Sequence, residues 1–389
     1  MTIEINTADQ VYRDLQKHLD KGPVGFPATE SGTEIRMLKF FYSPEDARLA
    51  TMLSPHKLEP AGRILKRANK HGLKMNREQL QQQLDTMLQK GTLLVYQIGL
   101  KEKHYKNAGF TAGGTLDFAV NRITPEMEEV HLKYMEEAFH KAEVGAKNIP
   151  QLRTIPVAKS VPNAGKIKIG SYDDVRVLVE QATGPMAVAY CVCRKGADKK
   201  GNPCKHSDIR ETCLQIGADH ARQYVEMGIG RYITKEEVLR TLDAAQEAGF
   251  ILQPENSKHP EAICCCCGDC CGILKSVKMS PKWSDHFATN YYAVLDTALC
   301  AGCGTCVKRC QMEARTIVDG KAVINPERCI GCGNCVTTCR THASQMLPKE
   351  KMLVPPDTKD DTFMKIYARR VGAFKAFIVR AKMRLGMDL

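Results

Sequence analysis

Residues 300–310 read CAGCGTCVKRC, and residues 329–339 read CIGCGNCVTTC. Both stretches place four cysteines in the spacing C-x2-C-x2-C-x3-C. In such a run, the three cysteines of the tight loop bind three irons of one [4Fe-4S] cube, and the fourth binds the other cube. Small glycines between the cysteines let the backbone approach the sulfides. The repeat therefore predicts two clusters that share ligands across the two runs.

Because the fourth cysteine of each run binds the cluster of the other run, all eight cysteines can be assigned. We expect the first cluster to be held by Cys300, Cys303, Cys306 and Cys339. We expect the second to be held by Cys329, Cys332, Cys335 and Cys310. Zinc is the alternative, but zinc sites usually use pairs of cysteines, so the tandem spacing favours iron–sulfur clusters.

The segment between the runs supports the same interpretation. Residues 316–324 predict two short strands joined by an Asp-Gly turn. Residues 291–348 as a whole resemble the two-cluster ferredoxins of bacteria, and the resemblance implies their fold and one-electron transfer. The proline that usually follows the fourth cysteine is Gln311 in one run and Arg340 in the other. Because proline is not a ligand, we expect altered local geometry with ligation intact.

Composition and cysteine distribution limit the class of protein. The chain has 389 residues, 43% of them hydrophobic and 26% charged, which excludes a wholly disordered or integral membrane protein. Its 18 cysteines all lie from Cys191 onward, which favours ligand sites over a disulfide framework. No secretory signal begins the sequence, and no apolar span is long enough to cross a bilayer. We therefore expect a cytoplasmic protein with reduced thiols.

Ten cysteines precede the two runs and predict a second metal-binding unit at residues 165–282. All ten are candidate ligands: Cys191, Cys193, Cys204, Cys213, Cys264, Cys265, Cys266, Cys267, Cys270 and Cys271. Residues 185–192 predict a buried strand, and residues 211–227 and 234–248 predict helices that bring the two halves of the unit together.

Six thiols within residues 264–271 cannot all serve one cube, because so short a segment cannot wrap around it. We expect one or more additional iron–sulfur clusters, either cubes that share ligands from both halves or a larger non-cubane cluster. The alternative is a structural zinc held by a set of four thiols with His206 as a substitute ligand. That set is Cys191, Cys193, Cys204 and Cys213. We expect Asp269 to be a turn residue rather than an oxygen ligand.

The cysteine pattern resembles a family of anaerobic bacterial iron–sulfur proteins, in which a cysteine-rich central domain precedes a two-cluster ferredoxin domain. The resemblance is carried by residues 191–194, 212–214, 263–271, 26–32 and 150–156. It implies electron transfer without indicating a substrate.

The first part of the chain predicts a helical, winged-helix-like domain. Apolar periodicity indicates helices at residues 34–41, 44–53, 59–70, 76–90 and 126–142, with a hairpin at residues 93–96 and 103–106. In a winged-helix domain the third helix, here residues 76–88, often reads DNA. That helix has one arginine beside two acidic residues, so we expect a scaffold for protein contact and no DNA binding.

The last 50 residues hold 11 lysines and arginines and 5 acidic residues, about half of the excess positive charge of +12. Residues 363–385 predict a basic amphipathic helix that packs on its own protein or a second subunit, or lies on a membrane surface.

Together these patterns predict an α+β multidomain chain. The domains are a winged-helix-like domain at residues 1–146, a linker strap at 147–164, a helix-rich cysteine domain at 165–282, a two-cluster ferredoxin domain at 283–350 and a basic helix at 351–389.

The predicted function is the relay of low-potential electrons between redox partners. The alternatives are a reductase that uses a central cluster, and a redox-responsive winged-helix regulator. Expected partners are an acidic redox protein or a larger oxidoreductase complex, a second copy of the chain, and the cytoplasmic membrane face.

Overall fold

The computed structural model describes residues 9–97, 99–144, 149–161, 171–385 and 387. The chain divides into two compact units. Unit 1 comprises Met1–Gly145, Arg222–Ile229 and Phe363–Leu389, and unit 2 comprises Ala146–Ala221 and Gly230–Thr362. Parts of the predicted strap and of the start of the cysteine domain, residues 147–148 and 162–170, lie outside the described residues. The boundaries of the five predicted domains stay predictions.

The helices are α1 (Gln10–Leu19), α2 (Thr33–Lys39), α3 (Pro44–Ala50), α4 (Ala61–Lys70), α5 (Arg77–Gln89), α6 (Thr115–Phe118), α7 (Pro125–Tyr134), α8 (His140–Val144), α9 (Val175–Gln181), α10 (Val192–Lys199), α11 (Ala218–Glu226), α12 (Lys235–Glu247), α13 (Gly272–Lys278), α14 (Thr305–Arg309), α15 (Lys359–Val371) and α16 (Ala373–Arg384). A π-helical turn, Met135–Phe139, joins α7 to α8.

The strands are β1 (Glu59–Pro60), β2 (Leu93–Tyr96), β3 (His104–Asn107), β4 (Met186–Tyr190), β5 (Glu211–Gln215), β6 (Gly230–Ile233), β7 (Ile251–Pro254), β8 (Ala262–Cys266), β9 (Tyr291–Leu295), β10 (Arg315–Val318), β11 (Lys321–Ile324) and β12 (Ser344–Pro348).

Unit 1 packs its helices around an aromatic core. The rings of Phe26 and Phe110 lie 4.6 Å apart between centroids, and Tyr134 contacts Phe26 at 4.9 Å. Capping boxes start α3 and α5, which satisfies backbone N–H groups that a helix leaves unpaired. The predicted helices of this part are confirmed within a few residues at most ends.

The start of one helix in unit 1 differs from the sequence prediction. The helix predicted from residue 59 begins at Ala61, because Glu59 and Pro60 form β1 and pair with β3. Proline has no backbone N–H to donate within a helix, so it sits naturally just before one. The resulting sheet is antiparallel, with the order β1-β3-β2.

The single basic helix predicted at residues 363–385 is wrong. Gly372 has a φ of 90°, which separates α15 from α16 and changes the direction of the chain. Ile366 and Tyr367 of α15 are buried, whereas Phe374 and Phe377 of α16 are 78% and 70% exposed. The apolar residues therefore do not form one continuous face.

Unit 2 is built on a five-stranded antiparallel sheet with the order β6-β4-β5-β8-β7. One face of this sheet packs against α9 and α12 through an apolar core. The helix predicted at residues 211–227 is wrong in its first part, because Glu211–Gln215 is the central strand β5 and α11 begins only at Ala218. The predicted helix-rich domain therefore has a sheet at its centre.

The strand predicted at residues 185–192 ends earlier than expected. β4 stops at Tyr190, Cys191 is the N-cap of α10, and Cys193 lies in the first turn of that helix. The two cysteines therefore do not project from one face of a strand.

Residues 149–161 of the predicted strap are tied to unit 2 by backbone hydrogen bonds. The Arg153 N–H donates to the Pro254 carbonyl, and the Val157 N–H donates to the Cys332 carbonyl, both at 3.0 Å.

The end of unit 2 contains two separate antiparallel strand pairs, the hairpin of β10 with β11 and the pair of β9 with β12. The first pair confirms the predicted Asp-Gly hairpin, in which Asp319 and Gly320 both have positive φ. No helix among the described residues is both long and apolar enough to span a bilayer.

Candidate metal and cluster sites

The two cysteine loops near the end of unit 2 lie directly against other backbone segments. A Cβ atom at Gly302 would be 2.0 Å from the Gly320 carbonyl oxygen, and one at Gly331 would be 2.1 Å from the Tyr291 carbonyl oxygen. Both glycines have positive φ. Only glycine fits at these positions, so the loop conformation is fixed by close packing.

The first thiol group collects around an apolar patch formed by Ala322 and Ala343. Its members are Cys300, Cys303, Cys306 and Cys339. Cys303 is exposed; a hydrogen bond with the Thr305 hydroxyl lowers its pKa, and the neighbouring Cys339 thiol opposes that shift. These are the four thiols that the first run and the last cysteine of the second run were predicted to bring together.

The second thiol group is more deeply buried. Its members are Cys310, Cys329, Cys332 and Cys335. Burial raises the pKa of Cys332 well above its ordinary value, and the charges of the other three thiols add to the shift. The buried Arg315 guanidinium donates to the Cys335 sulfur at 3.2 Å.

Backbone N–H groups point at sulfurs in both groups. Ala322 donates to Cys300 at 3.3 Å, Ser344 to Cys339 at 3.4 Å, and Ala314 to Cys310 at 3.2 Å. Four thiols with N–H donors around them are the donor set that an anionic [4Fe-4S] cube requires, so the residues present fit this group.

The central cysteine run is divided between two faces of the five-stranded sheet. Side chains of β8 alternate, so Cys265 points into the apolar core with Ile263, while Cys264 and Cys266 point to the opposite face. Cys213 on β5 is the direct cross-strand neighbour of Cys264. The sheet thereby sorts adjacent cysteines into separate environments.

Three cysteines from outside the strands are linked by contacts to the thiols of that opposite face. Hydrogen bonds with Cys264 and Cys271 raise the pKa of Cys266, and hydrogen bonds with Cys193 and Cys266 lower the pKa of Cys271 to about 6. Cys191 is in turn in hydrogen-bond contact with Cys193. We call these six thiols the sheet-face group: Cys191, Cys193, Cys213, Cys264, Cys266 and Cys271.

The remaining ligating side chains form a compact group of three thiols and one carboxylate. Its members are Cys204, Cys267, Asp269 and Cys270. Their sulfur and oxygen atoms all lie within 4.8 Å of one another. Three of these side chains come from the loop after β8 and one from the loop after α10, so the group joins the two halves of the central unit.

Asp269 is only half-buried, yet it is an integral member of the compact group. Burial would raise its pKa, but hydrogen bonds from the Lys205 N–H and the Cys267 thiol lower the pKa to about 2. The His206 ring lies 3.8 Å from the carboxylate. Asp269 lies in a turn, as predicted, and its ionised carboxylate is positioned beside the thiols of the compact group.

Arg194 is a fully buried cation beside both central groups. It donates to the Thr212 hydroxyl at 2.6 Å and to the Cys265 carbonyl, and its guanidinium carbon lies 3.9 Å from the centre of the Phe250 ring. Burial would lower its pKa, but the charges of Cys191 and Cys267 raise it. Among the described residues, no carboxylate pairs with Arg194, and its ionisable neighbours are the thiols of Cys191, Cys265 and Cys267.

The ferredoxin-like segment and the sheet share several hydrogen bonds within unit 2. Arg309 donates to the carbonyls of Gln246 and Glu247 at 2.8 and 2.7 Å, and Asn334 donates to the Gly249 carbonyl at 2.8 Å. The second thiol group is therefore held close to the end of α12 and the start of β7.

The structure separates residues that the sequence grouped for a zinc site. Cys204 lies in the compact group, whereas Cys191, Cys193 and Cys213 lie in the sheet-face group. Cys265 lies with neither group, and burial raises the pKa of its thiol to about 12. Sequence reasoning also missed Arg194, whose only signal was a charged residue directly after Cys193.

Comparison with known families agrees with the geometry of the C-terminal loops. Residues 292–340 match the family model described as a 4Fe-4S dicluster domain. No curated protein and no solved structure matches the chain. The matched span contains all eight cysteines of the first and second thiol groups. The chain is therefore an iron–sulfur protein with a ferredoxin-like domain towards its C-terminal end.

Proposed function

We propose that the protein transfers single electrons along a chain of iron–sulfur clusters. The observation that carries the proposal is the division of the eight C-terminal cysteines into two sets of four, each with ligands from both runs. The first thiol group would hold one [4Fe-4S] cluster and the second thiol group the other. Each cluster, when bound, accepts and releases one electron at a time.

The residues around the two thiol groups would stabilise the negative charge of a bound, reduced cluster. Arg315 and the N–H groups that point at the sulfurs favour the more negative, reduced state. The first thiol group is closer to solvent because Cys303 is exposed. Electrons would therefore enter or leave the protein near Cys303 and reach the interior through the second thiol group.

We infer that the sheet-face group holds a further iron–sulfur cluster. The six thiols of the sheet-face group supply more ligands than a single metal ion needs, and they are soft donors suited to iron. The resemblance of the central pattern to an anaerobic iron–sulfur family favours the same conclusion and stays a prediction. This cluster would exchange electrons with the second thiol group's cluster and be the innermost electron acceptor or donor of the chain of clusters.

An acidic redox protein is the partner that the charges near the first thiol group favour. Lys308, Arg340 and His342 are exposed, whereas Arg309 and Arg315 are turned inward to backbone and sulfur. Exposed positive charge near Cys303 would steer an acidic partner to it.

We also propose that the helices and sheet of unit 1 are a winged-helix scaffold for protein contact. The order α3-β1-α4-α5-β2-β3 with the sheet order β1-β3-β2 supports this proposal. A second copy of the chain is one protein that such a scaffold can bind.

The experiment that tests the relay measures the rate at which a reduced acidic ferredoxin reduces the anaerobic full-length protein, by stopped-flow absorbance at several salt concentrations. We expect the rate to fall with salt and to fall at least several-fold in a Lys308→Glu, Arg340→Glu double variant. Lys199→Glu, on the exposed end of α10, is the matched control. Equal rates in all three proteins would contradict the proposed docking side.

A further inference from the structure

We propose that the compact group, Cys204, Cys267, Asp269 and Cys270, binds one tetrahedral Zn²⁺ ion and no iron–sulfur cube. The proposal is independent of the clusters assigned to the C-terminal loops. It gives the central unit a metal site of a different kind beside its redox site.

The spacing of the four ligand atoms fits a single ion. Zinc binds thiolate sulfur at about 2.3 Å and carboxylate oxygen at about 2.0–2.2 Å in a tetrahedron, so neighbouring ligand atoms are roughly 3.5–3.8 Å apart. In the structure the Cys204 sulfur lies 3.7 Å from the Asp269 oxygen, and every pair lies within 4.8 Å. A cube binds each thiolate at a different iron, which requires ligands spread around four metal atoms.

The local chain also has the form of a zinc site. Cys267 and Cys270 are separated by two residues in a C-x2-C turn, a pair typical of structural zinc sites, and Cys204 adds a third thiol from a distant loop. A Cβ atom at Gly268 would lie 2.1 Å from the Gln311 carbonyl oxygen. The turn between the two thiols is therefore closed by packing, with no room for a larger side chain.

The charges around the group match an anionic zinc complex. Three thiolates and one carboxylate around a divalent ion leave a net charge of −2, and burial of such a charge needs a partner. Arg194 is that partner, because it is fully buried and lies beside Cys267 with no carboxylate of its own among the described residues. The Lys205 N–H, which donates to Asp269 at 2.8 Å, fixes the orientation of the oxygen ligand.

The alternation of side chains along β8 separates part of the zinc site from part of the redox site. Cys267 continues the core-facing positions Ile263 and Cys265, whereas Cys264 and Cys266 point to the opposite face of the sheet. A redox-inactive ion on the core side would tie the loop after α10 to the loop after β8 and so hold the sheet-face thiols in place.

The test is metal analysis of the anaerobically purified full-length protein, combined with X-ray absorption at the zinc edge, which iron does not obscure. We expect about one zinc per chain, with about three sulfurs near 2.3 Å and one oxygen near 2.0 Å. Cys204→Ser is expected to lower zinc at least tenfold after dialysis against a chelator, with iron and sulfide unchanged. Asp269→Cys is expected to keep the zinc with four sulfurs around it.

Cys265→Ser is the matched control, because this buried thiol belongs to no ligand group and its loss should leave zinc unchanged. Should the Cys204→Ser chain fail to fold, the sulfur count in Asp269→Cys still tests the site, because Asp269 is half-buried on a turn. The proposal is overturned if the purified protein holds no zinc, or if Cys204→Ser loses iron and sulfide together.

Discussion

The side-chain oxygen of Gln311 accepts a hydrogen bond of 2.8 Å from the backbone N–H of Gly268. Gln311 directly follows Cys310 of the second thiol group, and Gly268 directly follows Cys267 of the compact group. The Gln311 side-chain amide also donates to the Gly249 carbonyl at 3.1 Å. One buried glutamine thus joins the loop of the second thiol group to the loop of the compact group, at the position where proline is usual in two-cluster ferredoxins.

Gln311→Ala removes the partner of a buried backbone N–H. An unsatisfied buried donor costs about 1–3 kcal/mol, so we expect the anaerobic thermal midpoint to fall by several degrees. Arg340→Ala is the matched control, since Arg340 holds the equivalent position after Cys339 and is exposed. An unchanged thermal midpoint in Gln311→Ala would mean that the hydrogen bond between Gln311 and Gly268 does not stabilise the contact between the two loops.

Arg194→Met tests whether the positive charge of Arg194 stabilises the neighbouring cysteines of the central unit. Methionine keeps much of the side-chain volume, so the main loss is the cation that faces the thiolates. Removing one partner of a buried charge pair costs about 3–5 kcal/mol, and we expect a matching fall in stability by chemical denaturation. Lys199→Met, at the exposed end of the same helix, should have no effect. Equal stability of the two variants would show that the charge of Arg194 does not stabilise the central unit.

Unit 1 should lose stability in acid through His56. Burial lowers the pKa of His56 to about 4, from about 6.5 when unfolded. The unfolded chain therefore binds the proton more tightly, and the stabilisation is complete above pH 6.5 and is lost as the pH falls towards 4.

The shift corresponds to at most about 3 kcal/mol. We expect melting midpoints between pH 6.5 and 4 to fall less steeply in His56→Gln than in the wild type. The exposed His71 supplies the control variant His71→Gln, which should follow the wild-type curve. If the melting midpoints of all three proteins fall equally steeply with pH, protonation of His56 does not control the acid stability of unit 1.

The exposed aromatic residues of α16 make a peripheral membrane contact testable. Phe374 and Phe377 are largely exposed, on a helix that also carries Lys375 and Arg380. Basic charge with exposed aromatic rings favours binding to anionic vesicles over neutral ones. We expect co-sedimentation with anionic vesicles to drop in a Phe374→Ser, Phe377→Ser variant and to persist in Val354→Ser, which changes an exposed apolar residue elsewhere. No binding by the wild type would exclude the membrane contact.

The sequence was most informative where ligands are close in the chain. The loop spacing of Cys300 to Cys310 is local, so it indicates the cluster type without knowledge of the fold. The hairpin at Asp319 and Gly320 is local as well, since two residues determine the turn. These features could be predicted with their boundaries.

The central site could not be predicted because it depends on long-range strand pairing. Glu211–Gln215 has a helix-compatible composition, but its position between β4 and β8 makes it a strand, and tertiary pairing outweighs local propensity. Only this pairing places Cys213 beside Cys264 and turns Cys265 into the core. Arg194 gains its surroundings the same way, since its neighbours Cys265 and Cys267 come from β8 and the loop after it.

The most direct test of the relay is the iron and sulfide content of the anaerobic full-length protein, with low-temperature EPR after reduction, for the wild type, Cys271→Ser and Cys265→Ser. We expect about twelve irons in the wild type and in Cys265→Ser, from two cubes and a sheet-face cluster. In Cys271→Ser we expect about eight irons and the loss of one EPR signal, with the ferredoxin-like signals retained. About eight irons in all three proteins, with identical spectra, would contradict the central cluster and leave a two-cluster ferredoxin domain without an inner acceptor.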